Sequence, residues 1–163
     1  MRPDIKVWNP ENPAQWNKTL AWTTVWLSTF SLTLGFCAWF LVPSLAPRLN
    51  EIGFSLTHSQ LYWLVAMVGL SAGTLRILWT FLPPILGTRI LVTLSTGLLL
   101  IPLFCWVYAA QHPDTPYWML ICFALLSGIG GGTFSGLMAS TNYFFPKHER
   151  GLALGIQGGL SDF

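Results

Sequence analysis

Four stretches of this chain contain no Asp, Glu, Lys or Arg: residues 19–47, 52–75, 90–113 and 115–146. Each supplies the roughly 20 residues needed to cross a hydrocarbon core about 30 Å thick. In lipid no water is available to the backbone, so a crossing segment satisfies its N–H and C=O groups internally, as a helix does. Only 9% of residues are charged, against about 25% in an ordinary soluble domain. With 53% hydrophobic residues and a mean hydropathy of +0.55, the chain is expected to be an all-α polytopic membrane protein. A net charge of +2 gives no reason to expect nucleic acid. Cys37, Cys105 and Cys122 lie in apolar runs without metal-ligand spacing and read as small packing residues.

The polar punctuation divides the chain. Residues 1–18 form a tail carrying Pro3, Pro10 and Pro13. It lacks the apolar core and cleavage site of a signal peptide. Its tryptophans suit the headgroup level of a membrane surface. A first helix is expected from Leu20 to Val42, ended by Pro43 and Pro47. A second runs from Ser59 to Leu82, with a cap region at Thr57–Gln60 and a stop at Pro83-Pro84. A third runs from Arg89 to Ala110, and a fourth from Tyr117 to Phe145. A fifth begins near Gly151 and reaches only about 20 Å before Phe163, which reads as the start of a helix in a longer chain. Tyr143, Phe144 and Phe145 read as an interfacial aromatic anchor.

With the N-terminus inside, the inner segments hold Arg2, Lys6, Lys18, Arg89, Lys147 and Arg150, and the outer loops hold only Arg48. That is a positive-inside pattern, with a cytoplasmic N-terminus. His58 and His112 then fall outside and His148 inside, so the histidines cannot form one site. No Ser-His-Asp or metal arrangement is visible, and an enzyme is not expected.

Arg76 is the one charge in the interior of the four expected crossing helices. An arginine at a helix centre costs about 2.5–3.5 kcal/mol on insertion scales. Gly69, Ala72, Gly73 and Thr80 lie on its side of the helix, leaving room for a guanidinium, and Trp79 is placed to stack on it. Helices 1 to 4 contain no carboxylate. An unpaired guanidinium offers a small planar oxyanion a fork of paired donors. The plainer alternative is snorkelling, because Arg76 lies only about 10 Å along the helix from Pro83.

More than half of the 15 glycines fall between Ser127 and Phe163. In the fourth helix Gly128, Gly132, Gly136 and Ser140 recur every four residues, flanked by Gly131, Ser135 and Ala139. This small-residue face suits close helix packing in lipid. The opposite face carries Gly130, Phe134, Met138 and Thr141. Phe134 there is free either for a pore or for plain core contact.

These residues resemble the nitrate/nitrite porters of the major facilitator superfamily. The resemblance rests on Trp8-Asn9-Pro10-Glu11-Asn12-Pro13 with Trp16, and on Gly73-Thr74-Leu75-Arg76. It rests most specifically on Gly128 to Gly159, with Phe134, Met138-Ala139, Phe144-Phe145-Pro146-Lys147, Gly155, Gly158 and Gly159. It implies the superfamily's helical bundle of two six-helix halves, with residues 19–163 covering four complete helices and the start of a fifth in the first half. It implies that Arg76 binds nitrate or nitrite with a second arginine from the missing C-terminal half. Phe134 would flank the anion, and the glycines of helices 4 and 5 would let helices slide. The partners implied are nitrate or nitrite, the lipid bilayer and that other half, in an inner membrane and without a cofactor.

Two positions depart from the family pattern, which often has asparagine where this chain has Gln157 and Asp162. An ionised Asp162 near an anion path repels the substrate; a protonatable one suggests proton-coupled import over nitrate/nitrite exchange. The superfamily's loop after helix 2 is reduced to Gly87-Thr88-Arg89. The alternatives are a transporter of another small anion in the superfamily, or a short membrane protein that transports nothing.

Overall fold

The computed structural model describes residues 9–13 and 15–161. Trp8 and Asp162, both singled out above, lie outside the described residues. The described elements are helical: α1 (Lys18–Leu45), a 3-10 turn (Ala46–Arg48), α2 (Leu49–Ile52), α3 (His58–Leu98), α4 (Leu100–Gln111), α5 (Tyr117–Phe144) and α6 (Lys147–Ser161). Three helical stretches are long and apolar enough to cross a membrane: Lys18–Ile52, His58–Gln111 and Tyr117–Phe144.

The second of these has 54 residues and would measure about 80 Å if straight, more than two hydrocarbon thicknesses. It is not straight. Gly87 has φ 73 and ψ 154, outside any helical region. The chain turns back there, so residues 58–86 and 88–111 are two separate apolar passes. The four expected crossings are therefore present, but the stop lies elsewhere. Pro83 and Pro84 sit inside the helix, which runs on to Gly87. Pro43 likewise lies within α1, which continues to Leu45. A proline removes one donor and frees the carbonyl four residues back, and close neighbours make that tolerable in membrane helices. For Pro83 that carbonyl belongs to Trp79 and faces Gly136, where an added Cβ would lie 3.0 Å from it.

Thr57 caps α3 in a reciprocal box: its hydroxyl accepts the Gln60 N–H at 3.3 Å, and Gln60 Oε1 accepts the Thr57 N–H at 2.9 Å. Pro102, which lacks an N–H, accounts for the interruption at Leu99 between α3 and α4. The fifth expected helix, α6, starts at Lys147 and not at Gly151.

Helix α5 is the hub and touches α1, α3, α4 and α6. One apolar cluster, around Val42, Leu64, Trp106 and Leu120, closes the end where α1 finishes and α5 begins. A central one joins Leu32, Phe36, Trp79, Leu91 and Leu137. A third, of Ala21, Val25, Phe145 and Ala153, closes the opposite end. Phe145 is thus fully buried and is no interfacial anchor; Tyr143 alone of the aromatic run is exposed. Trp26, Phe30, Tyr62, Ile77, Phe81, Ile85 and Phe104 point outward, an apolar exterior broader than soluble monomers carry. Cys37 and Cys122 lie on that exterior, not in the packing as expected, and Cys105 is half-buried.

Candidate anion site

The small-residue face of α5 lies against α3. A Cβ added at Gly128 would meet Ala72 N at 2.7 Å, one at Gly131 the Ala72 Cβ at 2.8 Å, and one at Gly132 the Leu75 Cβ at 2.7 Å. These glycines let the two backbones close to a distance that side chains would prevent. The close approach carries Arg76 to the surface of α5.

Arg76 is half-buried. Its Nε donates to the Gly131 carbonyl at 3.2 Å. Its Cζ lies 5.6 Å from the Phe134 ring centroid and 5.8 Å from that of Trp39. The guanidinium is therefore drawn sideways into the junction of α1, α3 and α5, and does not run along α3 towards Pro83. Trp79, expected to stack on it, does not: its ring is buried, and its indole N–H donates to Ser95 Oγ at 2.9 Å. The described ion pairs are Lys18–Glu149 and His148–Glu149, both at the start of α6. Among the described residues no carboxylate neutralises Arg76.

The face of α5 opposite the α3 contact is not free. Gly130 faces the Gly35 carbonyl of α1, and Phe134 packs edge-on to Phe36 with centroids 5.8 Å apart. Met138 reaches Gly158 of α6, and Thr141 donates to Gln157 Oε1 at 2.6 Å. Gln157 is fully buried, and its Nε2 donates to Ser28 Oγ at 3.0 Å. One polar chain thus ties α1, α5 and α6. The glycines of α6 differ from those of α5. A Cβ at Gly158 would make ordinary contact with Met138 Cε at 3.5 Å, and one at Gly155 or Gly159 would meet nothing within 4 Å. Gly69 and Gly73, beside Arg76, also face open space.

Trp39 is the residue that sequence reasoning missed. The signal available was the pairing of Gly35 with Trp39 on α1, a glycine and an aromatic ring four residues apart, like Gly130 and Phe134 on α5.

The arrangement can bind a small anion. It offers one guanidinium held at Nε, two aromatic rings beside it, and no competing carboxylate among the described residues. The family model of the Major Facilitator Superfamily matches residues 8–162. The chain is 60% identical over 159 residues to the probable nitrate/nitrite antiporter NarK2 of Thermus thermophilus, covering 98% of this chain and 36% of that protein. It is 42% identical over 158 residues to the nitrate/nitrite transporter NarU of Salmonella typhimurium, covering 95% of this chain and 34% of the relative. It is 33% identical over 132 residues to the probable nitrate transporter NarT of Staphylococcus aureus, with 81% and 32% covered. The chain spans about a third of the length of these curated relatives.

Proposed function

The chain belongs to the Major Facilitator Superfamily, and we propose on that premise that it forms the N-terminal part of a secondary transporter of nitrate, nitrite or both. The observation that carries this reading is the Arg76 guanidinium, bonded to the Gly131 carbonyl and flanked by Trp39 and Phe134, with no described carboxylate beside it. Nitrate and nitrite are small planar anions. Their oxygens accept paired N–H bonds from a guanidinium, and their flat faces suit an aromatic wall such as Phe134. The names of the relatives point the same way.

In this proposal the protein lies in the inner membrane, with residues 1–18 cytoplasmic; the six basic residues on that side against Arg48 alone on the other support it. Residues 19–163 belong to the first six-helix half. A C-terminal half completes the site near the midplane and supplies a second arginine, and alternating access exposes the anion to each side in turn. The glycines of α5 hold α3 and α5 close, Gly158 of α6 meets Met138, and Gly155 and Gly159 leave α6 open to helices of the C-terminal part. Asp162 is the candidate for proton coupling.

The reading is tested with the full-length protein in proteoliposomes. Nitrate or nitrite uptake, lost in Arg76→Ala, is the expected outcome. Uptake of small carboxylates that nitrate does not compete with would instead assign another anion. Asp162→Asn separates the two coupling modes, since only proton-coupled uptake depends on a protonatable group there.

A further inference from the structure

We propose that Trp39 is a positioning residue for Arg76. Its indole, with the Gly131 carbonyl, fixes the guanidinium so that its two terminal nitrogens face the anion end-on. The inference rests on the anion-transport reading above.

A guanidinium can grip a planar anion through two edges: Nε with one terminal nitrogen, or both terminal nitrogens together. Here Nε is taken, because it donates to Gly131 at 3.2 Å. The terminal pair remains, with no hydrogen bond among the described residues. One bond at Nε leaves the guanidinium plane free to swing about it. The rings supply the second restraint, with Cζ 5.8 Å from Trp39 and 5.6 Å from Phe134. Phe134 belongs to the wall that faces the anion. Trp39 comes from α1, on a helix that carries neither the arginine nor the carbonyl.

The indole is itself held. An added Cβ at Gly131 would stand 3.1 Å from its Cδ2 and Cε2, and one at Gly130 would stand 3.3 Å from Trp39 Cβ. The Gly130-Gly131 pair is therefore the slot in which the indole lies. Phe36 and Phe40 close on it with centroids 5.7 and 5.0 Å away. Three helices converge on one guanidinium, and its orientation depends on α1 staying in register with α5. If Trp39 were only filler, any apolar side chain of similar bulk would serve. If it orients Arg76, the negative face of an aromatic ring is required.

The test uses the full-length protein in proteoliposomes with nitrate as the probe, and compares Trp39→Phe, Trp39→Leu and site-specifically fluorinated phenylalanines at position 39. Fluorine drains the ring face of negative charge with little change in shape. The expected result is an apparent KM that rises with each added fluorine and is about tenfold higher for Trp39→Leu. The maximal rate and the amount of folded protein should stay within about twofold, and Trp39→Phe should recover most of the affinity. In an Arg76→Lys background, which lacks the planar fork that the ring orients, Trp39→Leu should add little, because neighbouring residues acting as one unit are not additive. A KM indifferent to fluorination, with Arg76→Ala still abolishing uptake, would overturn the role of Trp39 and leave the transport reading intact. Unchanged uptake in Arg76→Ala would overturn both. The fluorinated series keeps the proposal testable if Trp39→Leu fails to fold.

Discussion

The Trp79 indole N–H donates to Ser95 Oγ at 2.9 Å, although the two residues are 16 positions apart. In one straight helix they would stand about 24 Å apart. The bond exists because the chain reverses at Gly87, whose φ of 73 and ψ of 154 fall in a region essentially reserved for glycine. Gly87→Ala is therefore expected to destabilise the protein by about 1–3 kcal/mol. Asparagine, which tolerates the left-handed helical region near φ +57 and ψ +47, should give no relief, because the ψ here is far from that region. Thermal unfolding in detergent measures both. A Gly87→Asn variant as stable as the parent would show that the reversal does not depend on this conformation.

The crossings were legible because burying a charge in hydrocarbon is costly enough to leave long uncharged gaps in the sequence. The exact turn was not. Pro83-Pro84 gives a stronger local stop signal than Gly87, and only the packing of α5 shows why it is overridden. The glycine row on α5 was legible in the same way, as a period of four, and its burial on α3 follows. Its consequence was hidden: which ring meets Arg76 depends on how α1 crosses α5 at Gly35 and Gly130. Spacing along one helix favoured Trp79, whereas three-helix geometry selects Trp39.

Not every glycine is expected to matter equally. Gly132→Ala brings a Cβ to 2.7 Å from the Leu75 Cβ, and the helices must part to admit it. Overpacking of this kind costs about 1–3 kcal/mol. Gly97 is exposed, with nothing within 4 Å of an added Cβ. Gly97→Ala should be neutral or stabilising by up to about 1 kcal/mol, from helix propensity alone. Unfolding midpoints of the two variants, compared in one detergent, decide the matter. Equal losses would mean that close approach to α3 is not what the α5 glycines provide.

Gln157 accepts from Thr141 and donates to Ser28 with no exposure to solvent. Gln157→Leu removes both bonds. The stranded hydroxyls retain local partners, since Ser28 Oγ donates to the Val25 carbonyl at 3.0 Å and Thr141 Oγ1 lies 3.2 Å from that of Leu137. The cost should accordingly be moderate, about 1–2 kcal/mol, in line with interhelical hydrogen bonds in membranes. Thr141→Val combined with Gln157→Leu should cost less than the sum of the two, because one bond is counted in both. Strict additivity in a double-mutant cycle would argue that the two side chains do not interact.

Side chains from the tail tie down the elbow between α5 and α6. Trp16 Nε1 donates to the Phe144 carbonyl at 2.9 Å, and its ring meets Phe145 edge-on at 6.2 Å. Arg150 Nη2 donates to the Phe145 carbonyl at 3.2 Å. Glu11 Oε1 accepts the Lys147 N–H at 3.1 Å, placing a carboxylate at the positive end of α6. These contacts satisfy groups that helix ends leave bare. Lys18 and Glu149 add an ion pair at 3.4 Å, but the Lys18 side chain is 65% exposed, and such a pair contributes at most about 1 kcal/mol, falling with salt. The expected order of destabilisation is therefore Trp16→Ala, at about 1–3 kcal/mol, then Glu11→Ala, at about 0.5–1 kcal/mol, then Lys18→Ala. Trp16→Phe should fall between the first two, keeping the ring contact and losing the hydrogen bond. Hydrogen exchange reads the elbow directly: the Lys147 amide should exchange faster in Glu11→Ala, while the amides of Glu149 and Arg150, which bond to the Pro146 carbonyl, should change less. If Lys18→Ala proved the most damaging of the three alanine variants, the elbow would be held by the ion pair and not by the tryptophan.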